Sequence, residues 1–145
     1  MRVFGLGNEF RRDDAIGRIA VRRLSEQGIV TEEIPEPVSL MHRWRGAGGV
    51  VLLDAIVSGR APGSILSFDA SVEPLPRAQF SRSTHAFGLA DAVELSRALG
   101  DLPRRVMVFG LEGADFSPGA GLSPAVRQAM PAFVAEVASY LHGRS

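Results

Sequence analysis

Two carboxylates and one of the three histidines carry the most informative chemistry in the sequence. Asp14 comes after a strand-like run and a Gly-Leu-Gly-Asn turn, Asp54 follows the apolar run Val-Val-Leu-Leu, and His85 stands directly before a helical pattern. Because side chains at such positions meet at the carboxyl edge of a parallel sheet, we expect these three groups to lie together. Two carboxylates and one imidazole predict a divalent-metal site at that edge.

Each of these residues also has an ordinary structural role. An aspartate at 13 or 14 is typical of a helix N-cap, and a carboxylate that ends a strand often bonds the following loop. The combination favours a functional site, because independent caps have no reason to share one edge. Two routes to hydrolysis of an acyl bond stay open. A metal held by the three groups could activate water, or paired carboxylates could share a proton and activate water directly.

The composition excludes several classes of catalyst. All 16 basic residues of the 145-residue chain are arginine, and both lysine and cysteine are absent. Lysine Schiff bases, P-loop lysines, thiolate nucleophiles and thiolate metal sites are therefore excluded. A formal net charge of zero provides no attraction to nucleic acid or an anionic membrane, so we expect neither partner. The sequence opens into a strand without a signal-type apolar segment, and we expect a cytoplasmic protein.

Strand-like and helical segments alternate along the chain. The pattern predicts strands at 2–6, 31–38, 50–53, 63–69 and 105–111, and helices at 14–27, 39–46, 86–98 and from Ser123, as cap, through Leu141. The second strand is expected at an edge because prolines interrupt it, and 70–84 is a connection with little periodicity. We therefore predict an α/β fold: a single three-layer α/β/α domain over 1–145, with a mostly parallel twisted sheet of about five strands and helices on both faces.

Five short blocks that cover most of the chain occur in the order found in one protease family. They are Gly-Leu-Gly-Asn-(x)4-Asp-Asp-Ala-Ile-Gly at 5–17, Asp-Ala-Ile-Val-Ser at 54–58 with Ala-Pro-Gly at 61–63, His-(x)2-Gly-Leu-Ala-Asp at 85–91, Val-Phe-Gly at 108–110 and Gly-Leu-Ser-Pro-Ala-Val at 121–126. In these blocks the sequence resembles the nickel–iron hydrogenase maturation endopeptidases.

The resemblance implies a specific reaction and a specific partner. Such enzymes remove the C-terminal extension of the hydrogenase large-subunit precursor after nickel has been inserted. The metal-contacting positions of the family fall on Asp14, Asp54 and His85 of this sequence, and the two aspartates are implied participants in cleavage. The resemblance also implies that nickel is carried by the precursor and is not a cofactor held tightly by the free enzyme.

Two segments depart from the family pattern. Family members carry an Asp-Gly-Gly-Thr-like segment after the second strand, whereas residues 33–41 here read Glu-Ile-Pro-Glu-Pro-Val-Ser-Leu-Met. Glu36 is the candidate replacement for the missing acid and hence a candidate substrate-binding residue. A Pro-Glu-like turn after the fifth strand is likewise replaced around Glu112-Gly113. Both departures bear on which precursor is recognised.

Three other functions stay open at this point. Peptidyl-tRNA hydrolases share the Gly-Leu-Gly-Asn turn after the first strand, but Arg-Arg-Asp-Asp at 11–14 replaces their histidine-bearing segment and the neutral charge suits tRNA poorly. A non-catalytic docking protein for a metalloenzyme maturation intermediate would fit the altered 33–41 segment. A plain metal-binding α/β domain needs the candidate trio alone. A dinucleotide site is not expected, because the third glycine of its fingerprint is missing.

Overall fold

Five strands form one sheet in the computed structural model, which describes residues 1–80 and 87–143. The strands are β1 (Arg2–Leu6), β2 (Thr31–Ile34), β3 (Gly49–Ile56), β4 (Ile65–Asp69) and β5 (Arg105–Glu112), in the spatial order β2-β1-β3-β5-β4. All neighbouring pairs are parallel except β4 with β5. The predicted mostly parallel sheet, with the second strand at one edge, is confirmed.

Helices cover both faces of this sheet. They are α1 (Ile16–Glu26), α2 (Leu40–Arg43), α3 (Arg77–Phe80), α4 (Leu89–Leu99) and α5 (Pro124–His142), and short 3-10 helices at Arg12–Ala15 and Pro37–Ser39 precede α1 and α2. Buried residues of α1 and α5 pack on one face, and those of α2, α3 and α4 pack on the other. The three-layer prediction is confirmed. Within the two described ranges, no helix is long and apolar enough to cross a bilayer.

The central strand β3 is buried on both faces, as a parallel strand covered by helices on each side should be. Successive side chains of a strand point to opposite faces. Val51 and Leu53 accordingly join the core formed with α1 and α5, whereas Val50, Leu52 and Ile56 join the core formed with the other helices. Asp54 falls in the second set by this alternation, so that its side chain belongs to the face covered by α2, α3 and α4.

Several element boundaries differ from the predicted ones for local reasons. The second strand ends at Ile34, where Pro35 lacks the N–H needed to continue the ladder. The first helix begins as a 3-10 turn and becomes α-helical only at Ile16. Part of the predicted connection 70–84 forms α3, a helix of four residues that is too short to show periodicity. The last helix begins at Pro124, as predicted.

Two arginines of α1 bind Glu33 of β2 and tie the helix to the edge of the sheet. Nε of Arg18 donates to Oε1 of Glu33 at 2.9 Å, and Nε of Arg22 donates to Oε2 at 2.9 Å. Arg22 also donates to Glu9, in the loop that follows β1, at 2.8 Å. The pKa of the Glu33 carboxyl is lowered to about 2, and the hydrogen bond from Arg22 is the largest cause.

We expect Glu33→Gln to lower the free energy of unfolding at neutral pH by about 1–2 kcal/mol, since the ion pairs are partly exposed. The pKa of Glu33 lies below its usual value of 4.5. Its contribution is therefore complete above pH 4.5 and disappears as the pH falls through about 2. Urea unfolding of the wild type and the variant at a series of pH values measures this. Glu136→Gln, an exposed change on α5, is the matched control. A stability difference that persists undiminished at pH 2 would contradict the prediction.

Candidate active site

Asp14 lies on the 3-10 helix between β1 and α1 and is partly buried. Its Oδ2 accepts a hydrogen bond from the backbone N–H of Asn8 at 3.0 Å, so the carboxylate closes the loop that leaves β1. The prediction that Asp13 or Asp14 caps the first helix is wrong. Ala15 occupies the N-cap position of α1, and no side-chain cap bond is formed there. The 3-10 turn places both aspartates before the start of the α-helix, so their carboxylates bind other groups than the first N–H groups of α1.

Glycines allow this loop to pack closely against the ends of β1 and β3. A Cβ on Gly17 would lie 2.1 Å from the carbonyl oxygen of Leu53 and 2.5 Å from that of Leu6. A Cβ on Gly7 would lie 1.8 Å from the carbonyl oxygen of Asp14. Only glycine permits such an approach of backbone to backbone. The chain that carries Asp14 is therefore packed directly on the ends of β1 and on β3, next to the residue that precedes Asp54.

Asp54 is the sixth residue of β3 and is 6% exposed. The predicted strand 50–53 is too short, because β3 continues beside β5 as far as Ile56. Asp54 consequently lies within the strand and does not follow it. Its Oδ1 accepts the N–H of Ala55 at 2.8 Å. Its neighbour on β5 is Gly110, which has no side chain to crowd the carboxylate from that strand.

His85, the third predicted member of the site, lies outside the described residues. The helix α4 begins shortly after it, and its first turn is held by Asp91. The Asp91 carboxylate accepts the N–H of Gly88 at 2.8 Å and Nε of Arg77 at 2.8 Å. The Gly88 N–H, followed by the Arg77 guanidinium, lowers the pKa of Asp91.

Residues 1–80 and 87–143 contain no group of three histidines, cysteines or acids that could hold a metal ion. His42 and His142 are exposed.

A buried carboxylate that the sequence did not single out stands beside Asp14. Asp13 is 0% exposed, and its two oxygens accept four hydrogen bonds from the segment that connects β5 to α5. The donors are the backbone N–H groups of Ala114 at 2.8 Å, Asp115 at 2.9 Å and Ser123 at 2.8 Å, and the hydroxyl of Ser123 at 2.7 Å. Ser123 occupies the predicted cap position of α5, but its hydroxyl binds Asp13 and caps nothing. The adjacent acids Asp13-Asp14 were the signal available in the sequence.

A second buried carboxylate, Glu112, ends β5 and is 2% exposed. It accepts the backbone N–H of Ser58 at 2.9 Å and also the Ser58 hydroxyl. This interaction holds the loop that follows β3, the strand of Asp54. Asp13, Asp54 and Glu112 are the buried carboxylates of the described residues. Asp13 follows β1, and the other two lie toward the carboxyl ends of the parallel strands β3 and β5, so all three are at the same end of the sheet.

Glu36, the candidate substrate-binding acid, is exposed where the chain leaves β2. It immediately precedes the 3-10 helix Pro37–Ser39, and its carbonyl oxygen accepts the N–H of Ser39 at 3.1 Å. Since β2 is parallel to β1, this segment leaves the sheet at the same edge as the Asp14 loop. The structure thus keeps Glu36 at the site's edge of the sheet.

The fold is that of a small three-layer α/β domain with buried carboxylates where the strands β1, β3 and β5 end. Residues 35–140 match the family model of the hydrogenase maturation proteases (HycI). The chain therefore belongs to the hydrogenase maturation protease family, as the resemblance in its sequence blocks predicted.

Individual relatives agree with this family. The hydrogenase 2 maturation protease of Escherichia coli K12 is 29% identical over 133 residues, which cover 86% of this chain and 79% of the relative. The hydrogenase expression/formation protein HupD of Thiocapsa roseopersicina is 23% identical over 96% of this chain, which spans 66% of that protein.

Solved structures give the same result. The hydrogenase maturating endopeptidase HybD from E. coli superposes with a TM-score of 0.81 at 27% identity, covering 100% of this chain and 94% of HybD. The [NiFe] hydrogenase maturation protease HybD from Thermococcus kodakarensis superposes with a TM-score of 0.75 at 30% identity, covering 97% of this chain and 99% of that one. The comparisons favour neither a peptidyl-tRNA hydrolase nor a docking protein.

Proposed function

We propose that this protein is an endopeptidase that removes the C-terminal extension of a nickel–iron hydrogenase large-subunit precursor after nickel insertion. Family membership over residues 35–140 is the observation that carries the proposal. The placement of Asp14 and Asp54 at one sheet edge supports it, since ligands of open α/β folds bind where the carboxyl ends of the strands meet. The cytoplasmic location expected from the sequence stays a prediction.

In this proposal Asp14 and Asp54 do the chemistry of cleavage. Peptide hydrolysis needs a group that takes a proton from the attacking water and a group that returns one to the leaving amine. Two neighbouring carboxylates can divide these roles when one is kept protonated by the other. Asp54 lies at a protected position within β3, whereas Asp14 lies on the loop above it and is the more accessible.

Nickel enters this scheme as part of the precursor and thus as part of the substrate. Carboxylate and imidazole groups are suitable ligands for nickel, so Asp14, Asp54 and His85 fit the role of contacting it. Once bound, the ion would polarise the scissile carbonyl or a water. Whether the enzyme is of the aspartic or the metal-dependent class, both routes require the same two carboxylates. Glu36 is proposed as a further contact to the precursor.

Co-expression with a nickel-loaded large-subunit precursor tests the function, with intact-mass spectrometry of the precursor as the measurement. We expect a loss of mass equal to the C-terminal extension, and no loss when Asp54→Asn replaces the wild type. Stable retention of the precursor at unchanged mass would support the docking protein instead. Release of peptide from peptidyl-tRNA, with an unchanged precursor, would support a peptidyl-tRNA hydrolase instead.

Phe10 offers a contact for the precursor beside Asp14. Phe10 is 71% exposed, although its backbone is held on both sides. The Phe10 N–H donates to Oδ1 of Asn8 at 2.9 Å, and the Phe10 carbonyl accepts the N–H of Gly119 at 2.9 Å. Because the backbone of Phe10 is already held, binding this large apolar side chain costs little backbone entropy.

We expect Phe10→Ser to raise the KM for the precursor about tenfold while kcat stays within about twofold, because truncating an aromatic contact removes binding energy. Steady-state cleavage at several precursor concentrations measures both constants. Val72→Ser is the matched control, since Val72 is 72% exposed and follows β4 at the opposite edge of the sheet. An equal change in the two variants would show that Phe10 has no special contact.

A further inference from the structure

The segment Glu112–Asp115, which begins at the last residue of β5, touches both chain segments that carry the proposed catalytic carboxylates. On one side it donates two backbone N–H groups to Asp13, the neighbour of Asp14. On the other side the N–H of Gly113 donates to the carbonyl of Ile56 at 3.0 Å, and Glu112 binds Ser58. We call this segment the brace. It connects a loop near the N-terminus with the end of β3.

The loop of Asp14 is bound to this part of the chain by backbone as well as side-chain hydrogen bonds. The N–H of Asp13 donates to the carbonyl of Asp115 at 3.0 Å, and that of Arg12 donates to the carbonyl of Gly119 at 3.1 Å. Arg12 has a φ of +46°, a left-handed conformation that costs energy in a non-glycine residue. Strain of this kind persists only where the surroundings hold it. The four hydrogen bonds to the side chain of the adjacent Asp13 hold Arg12 in this conformation.

Glu112 plays the corresponding part on the other side of the brace. A carboxylate that is 2% exposed is costly unless donors compensate it. The backbone N–H and the hydroxyl of Ser58 are such donors, and they come from the loop after β3. The backbone of the brace adds two further bonds: the N–H of Glu112 donates to Ser64, and that of Gly63 donates to Glu112, at 2.8 and 2.9 Å.

We infer that Asp13 and Glu112 are positioning residues that fix Asp14 relative to Asp54 through the brace. The inference rests on the proposed function, because it assigns the two buried carboxylates a task in that reaction. A displacement of about 1 Å between reacting groups costs up to about a hundredfold in rate. Loosening the brace therefore lowers kcat by a larger factor than it changes KM.

Asp13→Asn and Glu112→Gln test the inference. Each places an amide NH2 where a carboxylate oxygen met N–H donors, at nearly unchanged volume. We expect kcat for precursor cleavage to fall about tenfold to a hundredfold and KM to stay within about twofold. Ser123→Ala and Ser58→Ala remove one hydroxyl each and keep the backbone donors, so a smaller fall in kcat is expected. Asp101→Asn and Glu136→Gln, on exposed carboxylates elsewhere, are the controls.

Hydrogen exchange separates this inference from the proposed function. We expect faster amide exchange over residues 8–15 in Asp13→Asn and over 57–64 in Glu112→Gln, in folded protein without any precursor. If the wild type fails to cleave, the proposed function fails, while exchange still reports whether the brace exists. Wild-type kcat in folded Asp13→Asn and Glu112→Gln would overturn the inference, and so would a rise in KM alone.

Discussion

Asp54→Asn is expected to lower the rate of precursor cleavage by about a thousandfold or more, and Asp14→Asn is expected to do the same. The reason is independent of the route by which water is activated. A shared-proton pair loses its acid or base, and a nickel-bearing substrate loses an anionic contact. The amide keeps the volume of the carboxylate, so the 6% exposed site in β3 is not left with a cavity.

The three alanine variants, Asp14→Ala, Asp54→Ala and His85→Ala, extend this test to the whole predicted trio. We expect each to abolish processing while the far-ultraviolet circular dichroism spectrum stays that of the wild type. The measurement is a precursor-cleavage gel beside the spectrum, with Asp101→Asn as the control for an uninvolved carboxylate. Unimpaired cleavage by all three variants would show that these three residues do not form the active site, without changing the fold assignment.

The architecture could be predicted from the sequence because burial on both faces leaves a strong signal. Val50 to Leu53 is apolar without interruption, and such a run is typical of a parallel strand covered by helices on both sides. The end of that strand could not be predicted. Asp54 interrupts the apolar run, yet the ladder continues to Ile56 because β5 lies alongside and supplies hydrogen-bond partners. Pairing between distant segments decides the boundary.

The positions of two candidate site residues in the fold were predictable for the same reason. Asp14 and Asp54 stand near strand ends, and the rule that such ends meet at one edge applies to any open α/β sheet. The role of Asp13 was not predictable, because its four hydrogen-bond donors lie about a hundred residues further along the chain. Local pattern can indicate that two adjacent acids exceed what capping needs. It cannot show which of the two turns inward, since that depends on the loop after β5.

Gly17 is the position where one added methyl group is expected to damage the protein most. The glycine lies in the first turn of α1, and a Cβ there would stand 2.1 Å from the carbonyl oxygen of Leu53 and 2.5 Å from that of Leu6. Both of these atoms belong to strand backbone in the centre of the sheet. Neither can move without disturbing the ladder between β1 and β3, so the helix must shift away from the sheet.

We expect Gly17→Ala to lower the free energy of unfolding by roughly 3–5 kcal/mol, even though alanine favours helix over glycine by about 1 kcal/mol. Urea unfolding measures the loss. Gly48→Ala is the matched control, because a Cβ at Gly48 meets nothing within 4 Å and its φ is not positive. Because the shift of α1 would also carry the Asp14 loop away from β3, whatever variant protein folds is expected to cleave more slowly. Wild-type stability in Gly17→Ala would show that α1 does not pack closely on β3, and the placement of the Asp14 loop against the end of β3 would lose its structural basis.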